Sequence, residues 1–310
     1  MLQRILAIAL NSYREAVRAR VLYGLFGLAL ATTLYSVILG AMSLHQEKRV
    51  VSDVSAASIS LYAVLVAIVL GSTSLHREIK LKTLFPILTR RLVRHEFVLG
   101  KFVGTWLTLG VFVMVDGGTA LGLLAHQSGR SLAAVAGAAA GLLALLGVGL
   151  WRLKAARAFL LAPWSVVFFA VMALLAAPAA GERSLVLASC ALTMLEVAIV
   201  TAITLFFSAF SSPFLTAIFT AGIFILGRSA ETLANLPVRV VGPLARSTGS
   251  LIARVVPNLN LYVPERPVLL GQVDGVPVVG YVARCGVNAL CYSALLLVLA
   301  SLIFRKRDLQ

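Results

Sequence analysis

The chain has 310 residues, of which 60% are hydrophobic and only 13% charged, and its net charge is +15. A mean hydropathy of +0.97 lies far outside the range of a soluble globular domain, so the chain reads as an integral membrane protein. A pI near 10.6 would suggest nucleic acid in a soluble protein, but here the cations cluster at the ends of apolar runs, which excludes a basic nucleic-acid groove.

Residues 1–19 lack the apolar core of a signal peptide and follow helical spacing instead. Leu2, Ile5, Leu6, Ala9, Tyr13 and Val17 share one face, while Arg4, Asn11, Glu15 and Arg18 hold another. That pattern predicts a helix lying in the membrane interface. A first span is expected over 21–44, followed by the polar segment HQEKRVVSDVS and a second span over 57–75.

The stretch 76–101, HREIKLKTLFPILTRRLVRHEFVLGK, carries seven Lys and Arg. Short loops rich in these residues stay on the cytoplasmic side, so this stretch fixes the topology. Glu78 and Lys82 stand at i,i+4 in the favourable order, and Pro86 divides the segment into two short helices. It also keeps Ile79, Leu81, Leu84, Phe85, Ile87, Leu88 and Leu92, enough apolar surface to dock a protein as well as to meet lipid headgroups.

Further spans are expected over 97–126, 132–150, 158–177, 185–207, 214–226 and 287–304, eight in all. With the N-terminus inside, the segments 1–20, 76–101, 151–157 and 305–310 hold 17 of the 27 Lys and Arg, so both termini are expected in the cytoplasm. The external segment 228–284 contains six prolines between 237 and 277 and cannot be one helix. Its part 244–256 reads as a short amphipathic helix on the outer membrane face.

No catalytic constellation emerges. His45, His76, His95 and His126 all lie near span ends without metal-ligand spacing, and Cys190, Cys285 and Cys291 read as small buried hydrophobes. The VLGKFVG sequence around Lys101 lacks the first glycine and the hydroxyl of a phosphate-binding loop, so no cofactor is expected in this chain. Two acids interrupt apolar spans, Asp116 in VFVMVDGGTA and Glu196 in LTMLEVAIVTA. Each must face protein or water, which suits either a translocation or proton path or a structural hydrogen bond between helices. Thr193, Thr201 and Thr204 offer polar packing contacts on the helix of Glu196, and Gly117 and Gly118 permit a close helix contact beside Asp116.

Several segments together resemble the permease subunits of bacterial ATP-binding-cassette (ABC) exporters of the second type, in particular the branch that includes the permease of the nitrous-oxide-reductase maturation system. They are NSYREAVRARVLYGLF, EKRVVSDVSAASISLYAVLVAIVLG, EIKLKTLFPILTRRLVRHEFVLGKFVG, LEVAIVTAITLFFSAFSSPFLTAIFTAGIFILGR and the ending from VPNLNLY to IFRKRDL. The resemblance implies an all-α polytopic bundle in the bacterial inner membrane, formed as one transmembrane domain over 1–310. Within it lie an elbow helix at 1–19, a cytoplasmic coupling loop at 76–97 and external short helices in 228–284. It further implies a permease that is not itself an enzyme and that pairs with a second permease copy, identical or related. A separate ABC ATPase subunit, which binds ATP and magnesium, would contact the coupling loop at Glu78, Lys80, Lys82, Thr83, Arg90 and Arg94. Members of this branch often have proline where this chain has Arg91, and they usually have six spans, so 132–177 is expected to be an inserted hairpin. The competing readings are a secondary transporter using Asp116 and Glu196 as proton carriers, and a sensor or assembly factor that transports nothing.

Overall fold

A computed structural model describes residues 2–80, 94–153, 157–235, 247, 249, 256–272 and 277–306, with the backbone alone at 75–80, 94, 234 and 304–306. Among the described residues the fold is entirely helical. Its helices are α1 (Leu2–Val17), α2 (Arg20–Ala41), α3 (Glu47–Lys80), α4 (Arg94–Gln127), α5 (Leu132–Arg152) and α6 (Arg157–Leu175). A 3-10 turn at Ala177–Ala179 leads to α7 (Ala180–Ser208), α8 (Pro213–Arg228), the short α9 (Ala230–Ala234) and α10 (Arg266–Leu269), and finally α11 (Val278–Lys306). Of these, α2 to α7 and α11 are long and apolar enough to cross a membrane, which makes the chain a polytopic helical bundle.

All eight apolar runs of the sequence are helices, but two differ from expectation. The polar segment 45–55 is not a free turn, because α3 starts at Glu47 and takes most of it in. Ser52, Ser55 and Ser58 recur along one face of α3 and are all buried, since small polar side chains let neighbouring backbones approach closely. The other departure is α8, whose 16 residues extend about 24 Å and fall short of the roughly 30 Å hydrocarbon layer. Its last residue, Arg228, therefore ends beside the middle of α7 rather than beyond it.

α7 is the axis of the bundle, buried along most of its length and packed on α3, α4, α8 and α11. In contrast α5 has no buried residue and leans chiefly on α6. Its N-terminus is capped by Ser131, which accepts from the Ala134 amide, and Gly129 takes the positive φ of +99° that the preceding turn demands. α6 seats Trp164, Phe168 and Met172 in the core, and the Trp164 indole donates to the Leu142 carbonyl at 2.8 Å, clamping α5 to α6. Gly117 and Gly118 lie where a Cβ would fall 2.6 Å from Cys190 Sγ and from Phe168 Cε1, so the close contact expected beside Asp116 involves both α6 and α7.

α1 packs lengthwise on the start of α4. Ala9, Ser12, Tyr13, Ala16 and Val17 face the bundle, while Leu2 and Leu6 remain exposed on the side where lipid would lie. Part of the polar face is turned to protein as well. Glu15 pairs with the fully buried Lys101 at 3.4 Å, and Arg4 with the buried Glu96 at 3.8 Å. Burial, with Tyr23 nearby, pushes the Tyr13 phenol up to about 12, so that it packs as a neutral ring.

Candidate functional site

The two intramembrane acids occupy separate settings. Asp116, fully buried on α4, accepts from the Thr33 hydroxyl of α2 at 2.9 Å through Oδ1, while Oδ2 has no hydrogen-bond partner among the described residues. Glu196, equally buried on α7, has both oxygens occupied. Arg228 at the end of α8 donates from Nε to Oε1 at 2.8 Å and from Nη2 to Oε2 at 3.0 Å. Ser60 of α3 donates to Oε2 at 3.0 Å and accepts from Arg228 Nη2 at 2.8 Å. Asp116 and Glu196 therefore share no hydrogen-bond partner, and Glu196 knits three helices together through a bidentate guanidinium fork.

This knot is the floor of a cavity of about 590 Å³ between α3, α7 and α8, which the segment 256–272 covers in part. That segment is held firmly. The Tyr262 hydroxyl donates to the Cys285 carbonyl at 3.2 Å, the Tyr281 hydroxyl donates to the Leu261 carbonyl at 2.6 Å, and Leu259 is fully buried. Gly227 allows the approach: a Cβ there would sit 2.8 Å from the Pro257 carbonyl oxygen. At the rim Arg266 bridges Asp53 of α3 and Glu182 of α7, Ser52 donates to Glu182 at 2.6 Å, and Asn260 donates to Glu231 at 2.7 Å. The cavity opens at the end of the bundle opposite α1, since the rim is built on the starts of α3 and α7.

The threonines of α7 do not act as expected. Thr204 donates to the Val200 carbonyl of its own helix, Thr201 has no hydrogen-bond partner among the described residues, and neither hydroxyl bridges helices there. Thr204 contributes shape instead, filling the gap at Gly71 of α3, where a Cβ would come within 2.7 Å of it. Thr193 lines the cavity, together with Ser189 one turn away.

Of the expected docking residues, Lys82, Thr83 and Arg90 lie outside the described residues, as do Pro86 and most of 244–256. Glu78, Lys80 and Arg94 fall on the facing ends of α3 and α4, with only their backbone described. The residues that sequence reasoning missed are Arg228, Ser60 and the rim set of Asp53, Glu182 and Arg266. One signal was available for the first of these: the apolar run 214–226 is short for a span and is followed two residues later by a cation, Arg228.

No family model matches the chain, and no curated protein matches it either. Fold and site thus define a class, a multi-pass helical membrane protein with a polar cavity built on a buried Arg–Glu pair.

Proposed function

We propose that the chain is the membrane-spanning permease subunit of an ATP-driven exporter of the second ABC type, working as a dimer with a second permease copy. It sits in the bacterial inner membrane with both termini in the cytoplasm. ATP and magnesium belong to separate ATPase subunits, because the sequence holds no phosphate-binding loop.

The observation that carries this reading is the length of the two helices that flank the basic stretch. α3 and α4 each have 34 residues, about 51 Å of helix, and so exceed the roughly 30 Å hydrocarbon layer. They run into and out of 76–101 at the end where α1 also docks. Two projecting helices joined by a cationic, partly apolar segment make a lever that a soluble partner can push. Closure of the ATPases would press on Glu78, Lys80, Lys82, Thr83, Arg90 and Arg94, and rigid-body motion of α3 and α4 would open a path between protomers. Proton relay through Asp116 and Glu196 has less support, since the two acids lie in separate clusters and Glu196 is saturated by donors.

Reversing charge with Arg90→Glu and Arg94→Glu is expected to lower recovery of the co-purified ATPase roughly tenfold while leaving the yield of the chain itself unchanged. Unchanged recovery of the ATPase contradicts docking at this segment.

A further inference from the structure

The cavity above the Arg228–Glu196 pair presents donors rather than acceptors at its floor. Glu196 is screened behind the guanidinium with both oxygens engaged, whereas Arg228 keeps a quarter of its side chain exposed, and its Nη1 makes no hydrogen bond to the described residues. Thr193 and Ser189 stand at i,i+4 on the α7 face that carries Glu196, and both line the cavity. Neither hydroxyl has a hydrogen-bond partner among the described residues, although Thr193 is only 2% exposed. A helical Thr or Ser in an apolar setting ordinarily donates to the carbonyl one turn back, as Thr204 and Thr220 do here. Hydroxyls and a guanidinium edge left open toward one space are suited to a ligand rich in acceptor oxygens.

The rest of the lining fixes the ligand's character further. Leu61, Leu185, Phe224 and Leu269 form apolar walls, and Arg228 also lies over the Phe224 ring at 5.4 Å. The rim carboxylates of Asp53 and Glu182 are engaged by Arg266, and Arg49 adds a second cation 3.8 Å from Asp53. The volume lies within the range of small-molecule sites. The geometry points to a binding site for a small oxyanion-headed molecule, a phosphate or carboxylate compound whose oxygens meet Arg228 Nη1, Ser189 and Thr193 while an apolar body rests on the leucine walls. This goes beyond the transport reading and stands without it, because equilibrium binding needs no ATPase.

The test uses the full chain purified in a neutral, phosphate-free maltoside detergent, with hexyl phosphate, hexanol and inorganic phosphate as probes in titration calorimetry. Hexyl phosphate is expected to bind saturably with one site per chain, and hexanol is not. Ser189→Ala combined with Thr193→Val removes hydroxyls that make no hydrogen bond to the described residues, so the fold should be kept while the affinity for hexyl phosphate falls about tenfold. If inorganic phosphate binds as tightly as hexyl phosphate, the head alone is recognised and the natural ligand is a soluble phosphate. Tighter binding of hexyl phosphate assigns an amphiphile. Absence of saturable hexyl phosphate binding, equal binding of hexanol, or unchanged affinity in the double variant overturns the site.

Discussion

Arg228→Met is expected to destabilise the chain by about 3–5 kcal/mol, because it leaves the fully buried Glu196 carboxylate with Ser60 as its one remaining donor. Glu196→Leu should cost less. Arg228 retains partial access to the cavity and can keep its charge solvated there. Replacing both residues removes the charge and the unmet donors together, so the double variant should recover most of the loss, as apolar replacements of buried ion pairs often do. Thermal unfolding midpoints in detergent, measured for the two single variants and the double variant, check this. A double variant as unstable as Arg228→Met would mean that the loss comes from the missing Arg228 side chain itself and not from an unpaired Glu196 carboxylate.

The second large effect concerns α1. A Cβ at Gly104 would lie 2.6 Å from Ser12 Cβ and 3.1 Å from the Tyr13 amide nitrogen, and it would also press on the Ala9 carbonyl oxygen. Backbone atoms cannot step aside as a flexible side-chain end can, so Gly104→Leu must push α1 away from α4. A cost of about 3 kcal/mol is expected, at the upper end of overpacking effects. Among the described residues nothing lies within 4 Å of a Cβ at Gly141 on α5 or Gly222 on α8, and leucine there should be neutral or slightly favourable through helix propensity. Displacement of α1 has its own readout. A cysteine at Ser12, 4% exposed, should resist a bulky maleimide in the parent and react in the Gly104→Leu background. Protection that persists in that background contradicts the docking described.

How far the sequence alone reached follows from what its patterns encode. Apolar runs of bilayer length predicted every long helix, because hydrocarbon leaves the backbone no partner except itself. The amphipathic repeat of α1 was equally legible, but its buried seam runs through Ala9, Ser12 and Ala16 rather than through Leu2 and Leu6. Burial on protein and burial in lipid look alike in a hydropathy pattern. The start of α3 was hidden for the opposite reason: Ser52 and Ser55 belong to a segment that reads as polar, yet small hydroxyl side chains pack closely between helices, Ser52 against Glu182 of α7 and Ser55 against the Ser36 hydroxyl of α2 at 3.5 Å.

The candidate site was half visible. An acid such as Glu196 within an apolar run announces that it must meet a partner. Which partner it meets is a matter of packing. Arg228 lies 32 residues away on a helix whose shortness, rather than its composition, brings the guanidinium to mid-bundle, and Ser60 lies 136 residues away. The cavity depends further on 256–272, whose Asn260, Tyr262 and Arg266 follow no periodic pattern and take their places through single hydrogen bonds and ion pairs.

The central claim is that the basic stretch between α3 and α4 faces the cytoplasm, where a separate ATPase grips it. A cysteine introduced at Thr89 and probed in intact cells with a membrane-impermeant maleimide tests that claim most directly. The account predicts no labelling until the membrane is permeabilised, whereas full labelling from outside intact cells would contradict it.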